Sequence, residues 1–258
     1  MQSVELNSIV TSKIRESAMS DKRFEGTVGE EYELLKLALP YYDELESAIG
    51  RAVRNHCKTR HPAGFINPLI HVVEGGCGTG LTTKEILQAS PHIVVTAIDS
   101  EQVMLDQATK ALQDCRGLVE YKLGDLLEVL GGMKSGSAEV FVSGYMIHNL
   151  TFGYRRDLFV EISRILKTGG LFVNGDKCVR DDLEGQEADY EATIRAYDVY
   201  DTIGRSDYKA EWIKHYIEHE RVRFTEAEQK ELLVSNGFKG ICLLRRYMMD
   251  SVVTAIKA

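Results

Sequence analysis

Val72-Val73-Glu74-Gly75-Gly76-Cys77-Gly78-Thr79-Gly80 runs from two β-branched residues through an acid into closely spaced glycines. The first part predicts a strand. The glycines predict a turn whose backbone lets a ligand come close, ahead of a helix whose first N–H groups are unpaired. The spacing is Gly-x-Gly-x-Gly over Gly76 to Gly80. It is not a dinucleotide fingerprint, and without a Lys-Ser/Thr ending it is not a phosphate loop. Working outward, the next two expected strands are also followed by acids. Asp99, followed by Ser100, stands 19 residues after Gly80, where a carboxylate can hold two ribose hydroxyls. Asp125 follows in Leu123-Gly124-Asp125-Leu126, where a helix N-cap is an equal reading.

Short β-branched runs alternate with helical stretches beyond the loop. Strands are expected near Ile70–Glu74, His92–Ile98, Val119–Lys122, Val140–Ser143 and Leu171–Asn174. Helices are expected near Thr82–Gln88, Glu101–Leu112 and Tyr154–Leu166. That alternation means a mostly parallel sheet covered on both faces. One domain is expected, with residues 70–178 as its core. Residues 30–60 form a helical N-terminal cover, broken at Pro40. Residues 179–223, charged and tyrosine-rich around the single Trp212, read as a helical lid insertion, and His61 to Pro68 as a connector. Residues 224–258 close the chain with a helix (Thr225–Asn236) and two β runs, Gly240–Arg246 and Ser251–Ile256. Such a pair gives a doubly wound sheet an antiparallel edge.

The chain has 258 residues, 31 basic and 39 acidic side chains and a formal net charge of −8, with 44% apolar residues. The longest stretch without a charge, Val140 to Tyr154, is interrupted by Ser143, His148, Asn149 and Thr151, so no membrane span is expected. Met1 to Glu16 carries early charges and no apolar core of a secretory signal. The five cysteines, at 57, 77, 115, 178 and 242, have no paired short spacing, which fits reduced thiols in the cytoplasm and no metal site. The acidic balance makes nucleic acid an unexpected partner, and Arg245-Arg246 beside Lys239 is too small a basic spot to change that. A small-molecule substrate is the expected partner, with a homodimer as the one self-association considered.

At the glycine loop the sequence resembles the class I S-adenosylmethionine-dependent methyltransferases, whose first motif is an acid, a spacer and Gly-Cys-Gly-Thr-Gly. Glu74, Gly75 and Gly76 to Gly80 match it. Leu166-Lys167-Thr168-Gly169-Gly170 is similar to the family's "LKPGG" turn, with Thr168 in place of proline. The resemblance implies a Rossmann-like, doubly wound α/β fold with a seven-stranded sheet and an antiparallel edge strand. It implies S-adenosylmethionine as cofactor and methyl transfer to a soluble small molecule. Gly76, Cys77 and Gly78 would line the methionine part, Asp99 and Ser100 the ribose, and Asp125 with Leu126 the adenine. Ser143 to Tyr145 would sit beneath the sulfonium. Glu74 either contacts the cofactor's ammonium or only organises the loop.

The flanks look like a subfamily. Leu39-Pro40-Tyr41-Tyr42-Asp43-Glu44-Leu45 with Ala48-Ile49-Gly50, and Asn236-Gly237-Phe238 with Val253 to Ala258, are similar to carboxy-S-adenosylmethionine synthases. There a tyrosine reaches the cofactor, so Tyr42 is expected over it, unless it is a core or surface tyrosine. Two departures favour the ordinary cofactor. That subfamily has "GCSLG" in its first motif, and an arginine in its late insertion pairs with the extra carboxylate. Here the loop is Gly76-Cys77-Gly78-Thr79-Gly80, and His215 or Tyr216 follows Lys214. A permanent bidentate donor is not replaced by tyrosine. A synthase-like enzyme in tRNA modification and a noncatalytic cofactor-binding module are the rival readings.

The expected reaction end reads Ser143-Gly144-Tyr145-Met146-Ile147-His148. His148 is the candidate general base, since imidazole titrates near neutrality; packing or helix capping is the plainer reading. Tyr145 is the candidate pocket wall at the reacting centre. Residues Asp189 to Tyr216 and Tyr41–Tyr42 are expected to meet over the methyl, with Tyr41, Arg205 and Lys214 as substrate contacts.

Overall fold

The computed structural model describes residues 34–60, 69–115, 118–219 and 223–258. The expected connector, residues 61–68, lies outside them, as do residues 30–33 of the N-terminal cover. The chain opens with α1 (Leu35–Ala38) and α2 (Tyr42–Arg60), parted at Pro40. The core follows as β1 (Ile70–Gly75), α3 (Leu81–Leu87), β2 (Ile93–Asp99), α4 (Gln102–Ala111) and β3 (Leu118–Leu123). Then come α5 (Leu126–Gly131), β4 (Ala138–Gly144), a 3₁₀ turn (Ile147–Asn149), α6 (Phe152–Ile165) and β5 (Leu166–Lys177). The insertion holds α7 (Leu183–Ala196), α8 (Val199–Thr202) and α9 (Ser206–His219). The chain closes with α10 (Glu226–Ser235), β6 (Phe238–Tyr247) and β7 (Asp250–Lys257). Among the described residues no helix is long and apolar enough to cross a membrane.

The seven strands order as β3-β2-β1-β4-β5-β7-β6. Strands β1 to β5 are parallel, and β7 runs antiparallel to both β5 and β6. This is the Rossmann-like arrangement, and the strand order reverses between β1 and β4, where such sheets bind ligands.

Strand alternation sends neighbouring residues to opposite faces. On one face Val72, Val140, Val142, Val173 and Val252 pack beneath Leu45, Ile49 and Val53 of α2 and the insertion's Tyr197, Tyr200, Tyr208 and Trp212. On the other, Val73, Phe141, Phe172 and Val253 meet Leu158, Phe159 and Ile162 of α6 and Leu232 and Leu233 of α10. The insertion's rings are a core in themselves: Tyr200 meets Tyr208 edge-on at 4.9 Å, and Trp212 lies 6.2 Å from Tyr208. Tyr200 donates to the Leu34 carbonyl at 3.2 Å, so the insertion and the N-terminal cover do touch.

Two local expectations need correction. Lys167–Gly170 is not a free turn before the strand. It is drawn into β5 as a bulge, because the β4 register jumps from Ala138↔Leu166 to Val140↔Leu171, with Gly169 at φ +76° absorbing the kink. An additional helix, α5, follows β3. Asp125 caps it by accepting from the Glu128 amide at 3.1 Å.

Candidate active site

A cavity of about 640 Å³ opens at the C-terminal ends of β1, β2 and β4. Its floor is the glycine loop, where Gly76, Gly78 and Gly80 have φ of +68°, +52° and +87°. Side-chain-bearing residues seldom adopt such angles. Gly76 is constrained twice, since a Cβ there would lie 2.4 Å from Met146 Cγ. Asp99 closes β2 and anchors the loop: its carboxylate accepts from the Gly78 amide at 2.8 Å and the Glu101 amide at 3.0 Å. Burial raises its pKa, and those amides pull it back.

Ser100, Cys77, Leu126 and Asp125 also line the cavity. Asp125 accepts from Tyr154 Oη at 2.8 Å as well as capping α5, so the helix-cap role and a place at the cavity coexist. Tyr145 stands across the cavity in the left-handed region, at φ +53°, held by its amide's 2.8 Å bond to the Gly175 carbonyl. Strained backbone of this kind persists only where its surroundings fix it. Its ring stacks on Tyr42 of α2, centroids 5.3 Å apart, and both rings line the cavity.

Behind the loop lie two buried acids. Glu74 accepts from Thr83 Oγ1 at 2.6 Å, while its Oε1 has no partner among the described residues. Glu46, on the inner face of α2, accepts from Thr82 Oγ1 at 2.7 Å. Desolvation pushes Glu74 up to about 8 and Glu46 up to about 7. Glu46 escaped sequence reading; its one signal is an acid set beside Leu45 and Ile49 on the apolar face of α2.

The model of a methyltransferase domain matches residues 73–174. The carboxy-S-adenosyl-L-methionine synthase of Campylobacter curvus is 22% identical over 229 residues, covering 86% of this chain and 93% of that protein. The synthase of Campylobacter fetus is 20% identical over 93% of this chain and 100% of its own length. Among solved structures, the CurJ carbon methyltransferase matches with a TM-score of 0.58 at 18% identity, over 83% of this chain. This chain spans 54% of that structure's length. The chain carries a methyltransferase domain, and its sheet is that of the S-adenosylmethionine-dependent methyltransferases.

The site of this methyltransferase fits its cofactor on its own chemistry. The cavity volume lies in the usual range for small-ligand sites, roughly 300–1,000 Å³. The loop forms a cradle that a Cβ at Gly76 would fill. The carboxylates Asp99 and Asp125 stand at the C-terminal ends of the neighbouring strands β2 and β3 with acceptor capacity left over, and Ile98, Met104 and Leu126 provide apolar wall beside them. Among the described residues no group of three or more His, Cys, Asp or Glu side chains is placed to hold a metal.

Several sequence candidates of the methyltransferase lie away from the cavity wall. Glu74 and Ser143 are fully buried behind it. His148 is turned from it: its amide donates to Asp176 Oδ2 at 3.0 Å, and its Nδ1 is hydrogen-bonded to Asp176 Oδ1. The alternation that puts Gly175 under α2 puts Asp176 on the opposite face, and His148 follows it there. Tyr41 donates to Asp250 Oδ2 at 2.9 Å and stacks on Tyr247. Arg205 pairs with Asp207 and lies over the Tyr208 ring. Lys214 is exposed on α9. The structure brings neither Arg205 nor Lys214 to the cavity.

Proposed function

We propose that this methyltransferase transfers the methyl group of S-adenosylmethionine to a small molecule that enters beside Tyr42 and Tyr145. When bound, the cofactor supplies a methyl group on a positively charged sulfur. Asp99 accepts from the ribose hydroxyls while it holds the loop, and Asp125 with Leu126 frames the adenine. Glu74 and Glu46, which desolvation raises to about 8 and 7, supply negative charge behind the methionine end once the cofactor's positive charge favours their ionised forms. Tyr145 orients the reacting groups, and the stacked pair excludes water from them. The observation that carries the reading is this pair. One ring comes from the N-terminal cover and one from the end of β4, and the two stack in the wall of a cavity of about 640 Å³.

A labelled-methyl assay on cell extract, split into small-molecule and macromolecular fractions, tests it. Label should enter the small-molecule fraction only. Asp99→Ala should slow transfer at limiting cofactor by weakening cofactor binding by about 1.5–3 kcal/mol, the scale of hydrogen bonds to a charged group. Label in the RNA or protein fraction would overturn the reading. The end-to-end likeness to carboxy-S-adenosylmethionine synthases favours a second one, in which the protein makes or holds the carboxylated cofactor. Mass spectrometry of the co-purified ligand separates the two.

A further inference from the structure

Beneath the stacked tyrosines lies a group of polar side chains that the fold buries without satisfying. Tyr145 is in the cavity wall, yet its hydroxyl points into protein and has no hydrogen-bond partner among the described residues. The Tyr197 hydroxyl and Asp250 Oδ1 are in the same condition. These three residues are 6%, 0% and 1% exposed. They are neighbours: Asp250 lies within electrostatic reach of both tyrosines and takes the Tyr41 hydroxyl on its other oxygen. Lys177 stands opposite Asp250 in the β5–β7 ladder. It is 4% exposed, with its ammonium 5.6 Å from the centre of the Tyr216 ring and 6.0 Å from that of Trp212. Among the described residues no carboxylate pairs with that ammonium within 4.0 Å. Asp250 and Asp176 both act on it electrostatically from farther off, Asp176 being held by His148 on the other face.

Buried polar groups in folded proteins are almost always hydrogen-bonded, and each exception costs stability. Three groups without a partner among the described residues, gathered about Asp250 with the Lys177 ammonium electrostatically coupled to it, form a site that a ligand would complete. The donor count says which kind. An ammonium brings three N–H donors and each tyrosine one O–H, five in all, whereas the acceptors at hand are one carboxylate oxygen and the two hydroxyl oxygens. The ligand must therefore bring acceptors in excess, with negative charge for Lys177, and one donor for Asp250. We propose that this cluster binds the acid end of the methyl acceptor, and that the acceptor is a small carboxylic acid bearing a hydroxyl or amino group next to its carboxylate. The carboxylate takes Lys177 and the hydroxyls of Tyr145 and Tyr197. The neighbouring OH or NH donates to Asp250 Oδ1. Tyr145 joins the two sites, its ring in the cavity wall and its hydroxyl in the cluster. This inference rests on the methyltransferase reading above and adds the acceptor's chemistry to it.

The test is calorimetry on the full chain saturated with S-adenosylhomocysteine. The probes are lactate, malate, serine and 2-hydroxybutyrate, against lactamide, ethanolamine and inorganic phosphate. At least one acid should bind, with lactamide and ethanolamine weaker by on the order of tenfold or more, the scale of a lost charged hydrogen bond. Tyr197→Phe should weaken that acid by about tenfold and leave S-adenosylhomocysteine affinity unchanged, and Lys177→Met should abolish acid binding. If Lys177→Met does not fold, Tyr197→Phe decides. A merely structural tyrosine would lose an unsatisfied hydroxyl, raising Tm without touching acid affinity, and that result would overturn the proposal. So would amides, amines or phosphate binding as well as the acids, or no acid binding while S-adenosylhomocysteine binds. Failure of S-adenosylhomocysteine itself to bind marks instead the failure of the methyltransferase reading, and the inference falls with it.

Discussion

His148 is the residue at which chain position and spatial position part. It sits three residues after Tyr145, at the end of the strand that faces the cavity, and imidazole suits proton transfer. Its ring and amide are nonetheless both held by Asp176 on the far face of the sheet. A buried carboxylate that loses such a partner is left under-satisfied, and burial already pushes Asp176 up to about 7. His148→Ala should therefore cost roughly 1–3 kcal/mol of folding stability. Turnover per folded molecule should fall by less than about tenfold. Denaturant titration and kinetics on the same preparation separate the two effects. A loss on the order of 10²–10⁴-fold with intact stability would return His148 to the role of base. The contrast with Asp99 shows what a sequence reveals at this scale. Asp99 follows its strand directly, and its loop contacts are set by local chain geometry, so its place could be read. Which face a side chain takes after a turn depends on one residue of register, which composition does not carry. The buried charges Glu46, Lys177 and Asp250 were hidden for a related reason: only the packed fold makes them interior.

The elements that make the site meet at close quarters where α2 crosses β5. Gly175 is the point of contact, since a Cβ there would lie 2.4 Å from Ile49 Cδ1 and 3.0 Å from Leu45 Cδ2. Its carbonyl also takes the Tyr145 amide, so the same residue seats the N-terminal cover and fixes the strained tyrosine. The helical cover and the alternating strands were readable because apolar periodicity is a property of the element. The distance between them was not, because it is set by one absent side chain. Gly175→Ala should cost about 1–3 kcal/mol by overpacking. Combining it with Ile49→Val, which trims the atom that clashes, should cost less than the sum of the two single changes. Urea unfolding of the four proteins measures this. Strict additivity would mean that α2 shifts freely and that the contact does not position the site. The bulge at Lys167–Gly170 makes the same point from the other side. The glycines announced a turn, but strand pairing with β4 decided that it would be spent inside β5.

Across the whole molecule the formal charge of −8 counts every carboxyl as ionised, and the fold does not allow that. Glu46, Glu74, Asp176 and Asp250 are buried on or behind the sheet. Desolvation is the leading cause of each shift, raising them to about 7, 8, 7 and 6 respectively. Unfolded, the same groups titrate near about 4. Between those limits the folded chain binds more protons than the unfolded one, so stability falls as pH rises. The stabilising contribution is complete below the unfolded values and is lost as pH climbs through the folded ones. Asp250 gives up its share first, Glu46 and Asp176 next, and Glu74 last. The chain without cofactor should therefore be most stable near about pH 5 and lose Tm steadily up to about pH 8. Glu74→Gln, which keeps the Thr83 hydrogen bond and cannot ionise, should reduce the slope across the whole decline and remove most of what remains above about pH 7, where the other three have already titrated. Differential scanning calorimetry across the pH range reads both curves. A Tm that holds level or rises toward pH 8 in the unmutated chain would mean that these carboxyls ionise in place. The negative field assigned to the methionine end would then be present without any ligand to balance it.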